Sequence, residues 1–371
     1  GYLYNSDSGD LGKVPQYSDI NPLYTVIEKY KQTSRDNPSN NNRAKSYRDR
    51  IKTSRLMLFL TGNCNLQCIY CHCNSGVINK GSMTTKYALN IVDKFIETVY
   101  RPYQSGEVFK VTFMGGGEPF LKYNIIEDIV THIDNIGLDA EFTIVTNGTV
   151  GSINNWRWLV SQNFNITISA DGPPFIQNTQ RKYANQNTNT SNKIERNFKL
   201  LSELGAKINI RSTVIDPTND NIDLICEYFK QFPCIKTHHL EPVSFSGRAS
   251  SIQHLSETEF YSCFFKKYSQ YLLQDPRRFK SSWFRPFKRS DGFCGASYFN
   301  AIVTYDGHVS LCSEVDSSML MNEYGKKYLC SVISEDYPFE SKGAKRFAEE
   351  NSVHNLEMCR DCIIRYKCGG G

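Results

Sequence analysis

Several features that define other protein classes are missing from this chain. No run of about 18 apolar residues occurs, so we expect no transmembrane helix and no membrane partner. The N-terminus lacks a charged segment followed by an apolar core, so no secretory signal is visible. We therefore expect a cytoplasmic protein. The chain begins with Gly1 rather than Met, which would fit a tag remnant or a truncated start.

An excess of either charge is also missing. The 43 Lys and Arg residues against 38 Asp and Glu leave a net charge of only +5, and these charges are dispersed. A balance this mild does not predict a nucleic-acid partner. The seven histidines form no metal-binding pattern. A hydrophobic content of 40% nevertheless predicts a folded protein.

Cysteine is abundant, with 13 residues. Disulfide frameworks are typical of short secreted chains, whereas this chain is long, has an odd number of cysteines and shows no secretory signal. We therefore interpret the cysteines mainly as metal ligands in a reducing compartment.

The first cysteine group has the spacing C-x3-C-x2-C and consists of Cys64, Cys68 and Cys71. It follows an apolar run, residues 56–60, that reads as a strand. Three thiolates on one loop can converge on zinc or on an iron–sulfur cluster. Cys73 breaks the paired spacing of a zinc ribbon, and three ligands would leave one iron of a cubane cluster open. A structural zinc site is the alternative.

A repeating strand–helix pattern begins at residue 55 and predicts an α/β fold. Strands alternating with helices imply right-handed crossovers and a parallel sheet. Six units are too few for an eight-fold barrel but suit a partial (β/α)6 barrel, whose active site lies in the loops after the strands. The predicted strands cover residues 56–61, 108–114, 141–145, 165–169, 206–214 and 236–243.

Polar residues stand at or near the ends of these predicted strands. The glycine-rich turn GGGEP, residues 115–119, permits close backbone approach and can bind a charged small molecule, although a tight strand-to-helix turn is the alternative. Asn147 follows the third strand, Ser169 and Asp171 follow or end the fourth, and Arg211 lies in the fifth. A guanidinium is the preferred partner for a carboxylate.

A second cysteine-rich region begins near residue 291. Cys294 is followed by twelve residues, Gly307, four residues and Cys312. Two runs, residues 299–304 and 308–311, flank a Tyr-Asp-Gly turn and predict a hairpin. The group Cys359-x2-Cys362-x5-Cys368 follows near the end of the chain. Zinc bound to the C-x2-C portion is the alternative here.

The three-cysteine loop and the strand-end motifs resemble those of radical S-adenosylmethionine (SAM) enzymes, and the C-terminal pattern resembles a SPASM domain. Together the likeness covers about residues 55–368. It implies that Cys64, Cys68 and Cys71 hold a [4Fe–4S] cluster that binds SAM. The SAM contacts that it implies are Tyr70, Gly116, Gly117, Glu118, Asn147, Ser169, Asp171 and Arg211.

The same resemblance implies one or two auxiliary [4Fe–4S] clusters. Cys294 and Cys312 would belong to the first, and Cys359, Cys362 and Cys368 to the second. The SPASM pattern places its next cysteine one residue beyond Gly371, so we expect the domain to be truncated. Cys330 is an alternative extra ligand. For Cys73, packing is the alternative to a thiol at the active-site mouth.

The resulting prediction has four regions: a polar extension over 1–53 as a leader-peptide contact, the barrel over 54–245, a helical linker over 246–290 and a SPASM domain over 291–371. The resemblance implies an oxidoreductase that cross-links a ribosomally made precursor peptide through a thioether or carbon–carbon bond. Its electrons would come from an external flavodoxin- or ferredoxin-type donor. No catalytic acid or base is predicted.

Alternatives within and outside this enzyme class stay open. A peptide epimerase and an anaerobic sulfatase-maturing, formylglycine-generating enzyme share the same motifs. More than sixty residues precede the first cysteine group, which favours the peptide maturase. The alternatives from other classes are an iron–sulfur electron-transfer protein and a zinc-stabilised binding module.

Overall fold

The computed structural model describes residues 2–4, 11–13, 55–101, 108–185, 187–218, 220–252, 255–282, 292, 294, 296, 301–339, 342–362 and 365. The chain divides into two compact units. The larger comprises Lys52–Ser282 and Asn300–Ser341, and the smaller comprises Gly1–Ile51, Trp283–Phe299 and Lys342–Gly371. Of the polar extension predicted over 1–53, only residues 2–4 and 11–13 belong to the described residues.

The larger unit contains six parallel strands that pair in the order of the sequence, which confirms the predicted strand–helix repeat. Chain order along a parallel sheet requires a crossover after each strand, and those crossovers carry the helices. The strands are β1 (Arg55–Leu58), β2 (Phe109–Phe113), β3 (Ala140–Thr146), β4 (Asn165–Ser169), β5 (Ile208–Val214) and β6 (Ile235–Pro242).

The crossover helices are amphipathic and bury one apolar face. The first of them, α1, buries Ala88, Ile91, Val92 and Phe95, and Thr84 caps its N-terminus by accepting a hydrogen bond from the Tyr87 N–H. A π-helical turn, Ile96–Tyr100, continues it. The helices of this part are α1 (Thr85–Phe95), α2 (Tyr123–Asn135), α3 (Ile153–Ser161), α4 (Pro174–Gln180), α5 (Thr190–Glu203) and α6 (Asn221–Lys230).

Helix α4 was not predicted, because the sequence there reads as a polar excursion. Pro174 starts the helix at a position where a fixed φ angle is favourable. Ile176 and Gln177 are buried, and Gln177 accepts a hydrogen bond from the Asp171 N–H at 2.9 Å. The helix is therefore stabilised by tertiary contacts rather than by an apolar repeat.

The sheet extends beyond the six predicted strands on both sides. A short strand, β7 (Phe279–Lys280), pairs with β6 after the helix α7 (Glu257–Gln274), which lies within the predicted helical linker. The predicted hairpin forms β8 (Ala301–Val303) and β9 (His308–Ser310). Strand β8 pairs in parallel with β1, so the hairpin continues the main sheet.

A last strand, β10 (Leu329–Val332), follows the short helix α8 (Glu323–Tyr328) and pairs with β9. The described strands of this sheet thus number ten. Within the described residues no helix has both the length and the apolar character needed to cross a membrane.

The smaller unit contains an antiparallel pair, Tyr2–Tyr4 with Leu11–Lys13, and the helix α9 (Lys342–Glu350). Helix α9 buries Ala344, Phe347 and Ala348. A 3₁₀ turn, Glu357–Cys359, follows, and Val353, Leu356 and Cys359 pack together.

Candidate active site

A cavity of about 270 Å³ lies in the larger unit at the carboxyl ends of β2 to β6. This is the end at which parallel barrels carry their active sites. Most of the SAM contacts predicted from the sequence meet here, although they come from five different loops and strands. The predicted residues that line it are Cys64, Cys68, Tyr70, Cys71, Gly116, Gly117, Glu118, Asn147, Ser169 and Arg211.

The cysteine loop, residues 64–75, is held on one side by the segment that follows α4. The Gln67 N–H donates to the Lys182 carbonyl at 2.8 Å, and the Ile69 N–H donates to the Gln180 carbonyl at 3.0 Å. Leu66 and Tyr183 form an isolated antiparallel bridge. These backbone hydrogen bonds fix the loop against residues 180–183 in the manner of a short antiparallel strand pair.

The segment after β6 holds the cysteine loop on a second side. Arg248 donates from Nε to the Cys68 carbonyl at 2.8 Å and from Nη1 to the Ser75 carbonyl at 2.9 Å. Gly247 has φ +57°, and a Cβ there would lie 2.4 Å from the Cα of His72. Glycine is therefore required for this close approach.

The GGGEP turn contacts the start of the cysteine loop. The Gly117 N–H donates to the Thr61 carbonyl at 2.9 Å, and the Glu118 N–H donates to the Asn63 carbonyl at 2.8 Å. A Cβ at Gly117 would lie 1.9 Å from the Asn63 oxygen. Close packing of two backbones explains this glycine, whereas Gly115 and Gly116 have positive φ angles of 71° and 65°.

Glu118 is buried, and its carboxylate joins the β2 and β3 loops. One oxygen, Oε1, accepts from Thr146 Oγ1 at 2.6 Å and from the Phe120 N–H at 3.1 Å. The other, Oε2, accepts from the Asn147 N–H at 2.7 Å. Burial raises the pKa of Glu118 to about 7, although these hydrogen bonds oppose the rise.

Asn147 connects this network to the first cysteine. Its Nδ2 donates to Asn65 Oδ1 at 2.9 Å and to the Cys64 sulfur at 3.8 Å. The Leu66 N–H also donates to that sulfur, at 3.4 Å. Burial raises the pKa of Cys64 well above its usual value. Two donors therefore already face this thiol.

The charges of two guanidinium groups, Arg181 and Arg248, act on the Cys68 thiol. Burial raises the pKa of this thiol to about 11, while the charges of Arg181 and Arg248 act in the opposite direction. Positive groups near a thiol favour the thiolate, which is the form that ligates iron or zinc.

The side chains of Tyr70 and Arg181 both contact the carboxylate of Asp171. The Tyr70 hydroxyl donates to Asp171 Oδ2 at 2.5 Å, and Arg181 Nε forms an ion pair with the same oxygen at 2.9 Å. The Arg181 guanidinium also lies 5.3 Å from the centre of the Tyr70 ring. The Thr213 N–H donates to the remaining oxygen, Oδ1, at 3.0 Å.

Asp171 is fully buried, and it does not line the cavity. In this structure its carboxylate positions Tyr70 and Arg181. The SAM contact predicted for Asp171 stays a prediction, as do those of the residues that line the cavity.

The inner faces of β5 and β6 supply the remaining charges. Arg211 lines the cavity, and its guanidinium has no ion pair or hydrogen bond within the described residues. Glu241 also lines it and accepts from the Ser282 N–H and hydroxyl, both at 2.8 Å, and from the Ser281 hydroxyl at 3.2 Å. Burial raises the pKa of Glu241. Arg211 is thus available for an anionic ligand.

The two adjacent histidines of β6 point in opposite directions. His238 is fully buried, contacts the Ser212 hydroxyl at 2.8 Å and has its pKa lowered by burial to about 3. His238 is therefore a buried packing residue of the core. His239 lies on the inner face, with Nδ1 4.0 Å from Glu241.

The segment 312–316 forms part of the cavity wall through Ser313 and Glu314. It is connected to the cysteine loop by Lys80, which forms an ion pair with Asp316 at 3.1 Å. The side chains of this pair are 4% and 0% exposed, respectively. Lys80 also donates to the Cys73 carbonyl at 2.5 Å and to the Ser318 hydroxyl at 2.8 Å.

The other cysteines fall into separate environments. Cys226 and Cys234 are buried core thiols, and Cys73 is buried in the cavity wall. Cys312 lies in the larger unit, with its sulfur accepting from the Glu314 N–H at 3.5 Å. Cys330 lies on β10 and donates to the Val309 carbonyl at 3.4 Å. The remaining predicted ligands belong to the smaller unit: Cys294, Cys359, Cys362 and Cys368, the last outside the described residues.

Several cavity residues were missed by sequence reasoning. Arg181 lies in the stretch read as a polar excursion, and Glu314 lies two residues beyond a predicted cysteine ligand. Neither belongs to a motif with fixed spacing. Glu241 did carry a signal, because it is a single charge inside the apolar run Leu240 to Val243 at the end of a predicted strand.

The donor set of the cysteine loop fits an iron–sulfur cluster better than a single ion. No three His, Cys, Asp or Glu side chains in the described parts of the chain are spaced to hold one metal ion. A cubane cluster is a larger group held by thiolates at its corners. Three thiols beside a free guanidinium suit such a cluster with one open iron.

Comparison with known proteins assigns a family to the central part of the chain. Residues 58–228 match the model of the Radical SAM superfamily. A cysteine-type anaerobic sulfatase-maturating enzyme of Clostridium novyi is 25% identical over 348 residues, which cover 86% of this chain and 87% of that protein. The radical SAM cyclopropyl synthase TigE of Paramaledivibacter caminithermalis is 26% identical over 215 residues, 50% of this chain and 44% of that protein.

Solved structures show the same fold. Native anSMEcpe with bound AdoMet aligns with a TM-score of 0.67 at 20% identity, covering 85% of this chain and 89% of that one. Streptococcus suis SuiB bound to the precursor peptide SuiA aligns with a TM-score of 0.58 at 13% identity, covering 98% and 80%. The α/β fold with its parallel sheet is therefore confirmed.

Residues 58–228 are thus a radical SAM domain. The chain is related in sequence to an anaerobic sulfatase maturase. Enzymes of this superfamily use a [4Fe–4S] cluster and SAM, and the fit of the cysteine loop agrees with that requirement.

Proposed function

We propose that this protein is a peptide maturase that forms an oxidative cross-link, through a thioether or a carbon–carbon bond, in a ribosomally made precursor peptide. The observation that carries the proposal is the single cavity that gathers the three cysteines, the backbone of the GGGEP turn and the free Arg211 guanidinium. The alignment with peptide-bound SuiB over 98% of this chain supports a peptide substrate.

Cys64, Cys68 and Cys71 would hold the cluster, and Arg211 would pair with the carboxylate of SAM. SAM bound at the reduced cluster supplies a 5′-deoxyadenosyl radical that removes a hydrogen atom from the substrate. The backbone of Gly116 and Gly117 lies open to the same cavity. These residues bind and orient the cofactor, so the reacting centre is fixed before the substrate enters.

The walls of the cavity have a second role, which is to exclude water and define the substrate side. Ser244, Ser313 and Glu314 line it together with Glu241. Glu118 and Glu241 are occupied by hydrogen bonds from the chain, whereas the structure gives the Glu314 carboxylate no ion pair or hydrogen bond within the described residues. Residues 312–316 would thus meet the peptide.

The auxiliary clusters belong to the same proposal. Loss of two hydrogens from a substrate leaves one electron and one proton after the radical has taken a hydrogen atom. Auxiliary [4Fe–4S] clusters in a SPASM domain, ligated by Cys294, Cys312, Cys359, Cys362 and Cys368, would accept that electron. An external flavodoxin- or ferredoxin-type protein would reduce the first cluster.

A sulfatase-maturing activity is the second candidate. It is supported by the 25% identity to the Clostridium novyi enzyme over most of both chains. The same cavity could admit a cysteine-bearing segment of a sulfatase and oxidise that residue to formylglycine. The chemical change in the substrate separates the two candidates.

The test is an anaerobic assay of the iron-reconstituted protein with SAM and a reductant. Substrates are the short cysteine- or aromatic-containing peptides encoded near its gene and, separately, a sulfatase-type peptide with one cysteine. 5′-Deoxyadenosine and the peptide masses are measured. Loss of two hydrogens per link, without reaction with an aldehyde probe, is expected for the cross-linking enzyme.

Other outcomes would replace the proposal. An aldehyde formed with loss of sulfur would identify a sulfatase maturase, and deuterium uptake from solvent without a cross-link would identify an epimerase. A triple variant in which Cys64, Cys68 and Cys71 are replaced by Ala is the control and should release no 5′-deoxyadenosine. If the wild-type protein with intact clusters also releases none, an electron-transfer role is the better explanation.

A further inference from the structure

Arg248 lies at the start of a 3₁₀ turn, Gly247–Ser251, that follows β6, yet its side chain reaches the cysteine loop. Its Nε donates to the Cys68 carbonyl at 2.8 Å, and its Nη1 donates to the Ser75 carbonyl at 2.9 Å. Its backbone N–H donates to the Cys71 carbonyl at 3.2 Å. One residue therefore binds three carbonyls of the loop, two of them at cysteines proposed to hold the cluster.

The local backbone is shaped for this contact. Gly247 has a positive φ angle, and its Cα approaches the backbone of Cys71 and His72 so closely that a Cβ would clash with both. The preceding residue thus allows the Arg248 N–H and guanidinium to face the loop together. Arg248 therefore holds the cysteine loop in place, although it is 180 residues distant from Cys68 in sequence.

The charge of Arg248 is not neutralised by the chain. Within the described residues it forms no ion pair, whereas Arg181, whose charge also acts on Cys68, is paired with Asp171 at 2.9 Å. Arg181 and Asp171 together contribute little net charge. Arg248 therefore supplies the uncompensated positive charge nearest to the Cys68 backbone among the contacts described.

One donor of this guanidinium has no partner. The nitrogen Nη2 is buried and makes no hydrogen bond within the described residues. A buried donor on a charged group is unfavourable unless something accepts from it. The other two guanidinium nitrogens are occupied by carbonyls, so Nη2 is the one left for an acceptor that the described residues do not provide.

We propose that Arg248 is a positioning residue of the SAM-binding cluster: it fixes the cysteine loop through three carbonyls, and its unpaired Nη2 and positive charge raise the cluster's reduction potential. The inference depends on the proposed cluster at Cys64, Cys68 and Cys71. Hydrogen bonds to the sulfurs and nearby charge are among the factors that set such potentials.

The test compares wild type with Arg248→Gln and Arg248→Lys. Each is reconstituted anaerobically, its iron and sulfide are counted, and the reduced cluster is titrated by electron paramagnetic resonance. The signal that changes when SAM is added identifies the relevant cluster. Arg278→Gln is the matched control, because Arg278 also donates to a carbonyl, that of Phe229 at 3.2 Å, and also has an unpaired buried nitrogen.

The expected result is a graded one. In Arg248→Gln the equilibrium constant for reduction falls about tenfold, which is about 59 mV for a one-electron couple. Arg248→Lys keeps the charge and loses the forked contacts, so its potential lies between those of Gln and wild type, with a broadened signal. Arg278→Gln keeps the wild-type potential.

Three results would overturn the inference. Equal potentials in wild type and Arg248→Gln would show that Arg248 is only a structural contact, while leaving the proposed function intact. A potential shift in Arg278→Gln as large as that in Arg248→Gln would show a general effect of losing an arginine. A wild-type protein with no SAM-sensitive cluster would remove both this inference and the proposed function. If Arg248→Gln fails to load a cluster, the Arg248→Lys titration decides, and an unshifted potential there contradicts the proposal.

Discussion

The cysteine loop, residues 64–75, and the wall segment, residues 312–316, both carry predicted iron ligands but are stabilised in different ways. The loop holds three predicted ligands within eight residues and is contacted from three sides, by residues 180–184, by Arg248 and by the GGGEP turn. The wall segment carries only Cys312, and its predicted partner Cys294 belongs to the other compact unit.

The difference shows how the spacing of ligands along the sequence decides how many segments must be ordered to form a site. Ligands that are close in sequence need one loop to be ordered, and the surrounding strand ends supply that order. Ligands that are separated by long stretches of chain need several distant segments to be ordered. We therefore expect the site in the cysteine loop to tolerate changes in the C-terminal part of the chain. The site that includes Cys312 should be more sensitive to changes elsewhere in the chain.

The largest expected effect comes from replacing a ligand at each place. Cys68→Ala should abolish SAM cleavage, because a three-thiolate site that loses one ligand no longer holds its cluster. Cys312→Ala should still cleave SAM but form no modified peptide. Release of 5′-deoxyadenosine and peptide mass are measured together. Cys263→Ala, at a half-buried cysteine outside the cavity, is the control and should retain both activities. Equal loss of SAM cleavage in Cys68→Ala and Cys312→Ala would contradict the comparison.

The next effect tests the link between the two regions. Lys80→Met leaves the buried carboxylate of Asp316 without its cation, and we expect the free energy of unfolding to fall by about 3–5 kcal/mol. Lys326→Met is the matched control: its partner is Glu323, the pair is solvent-exposed, and the expected change is below about 1 kcal/mol. Denaturant titration measures both.

Adding Asp316→Asn to Lys80→Met should recover part of the loss, since the buried charge is then absent. If the single variant Lys80→Met unfolds no more easily than Lys326→Met, the pair does not connect the wall segment to the loop.

A smaller effect depends on pH and on Glu118. Its pKa is about 7 in the folded protein, above the ordinary value of 4.5, so the folded state binds the proton more tightly than the unfolded state. The stability from this group is fully present below pH 4.5 and is lost as the pH rises through about 7, a change of about 3 kcal/mol.

Glu118→Gln should remove this pH dependence of the free energy of unfolding. Between pH 4.5 and 7 the wild type should therefore lose stability relative to the variant. Unfolding titrations at several pH values measure it. Glu203→Gln, at an exposed position at the end of α5, should keep the wild-type slope. An identical pH profile for Glu118→Gln and wild type would show that Glu118 does not take up the proton.

The smallest expected effect compares two glycines with similar backbone angles. Gly205, φ +67°, has nothing within 4 Å of an added Cβ, so Gly205→Ala should cost only the strain of the left-handed conformation, about 1–2 kcal/mol. Gly247→Ala adds a clash with His72, and we expect a further loss of about 1–3 kcal/mol. Thermal unfolding of both variants measures the difference, and equal losses would show that the close approach at Gly247 is not required.

The parts of the fold that follow from local pattern were predicted from the sequence. Helix α7 and the hairpin β8–β9 have clear periodicity or a clear turn, and the six strands alternate with helical segments along the sequence. The pairing of β8 with β1 was not predicted, because no local pattern records which edge of a sheet a hairpin joins.

The same division holds for the site. The cysteine loop and the GGGEP turn are short motifs, and the geometry places them on one cavity. Arg181, Arg248 and Glu314 have no motif, and their neighbours lie far away in sequence. Lys80 and Asp316, for example, are 236 positions apart. Spacing cannot reveal such pairs.

The sequence by itself determined the parallel strand–helix repeat and the three thiols on one strand-end loop, because apolar periodicity and close ligand spacing are local properties. Only the tertiary structure decided which charges are neutralised and which stay free. Arg181 is paired with buried Asp171, whereas Arg211 and Arg248 have no ion pair within the described residues. Burial and pairing depend on contacts between distant segments, and those contacts exist only after the sheet has formed.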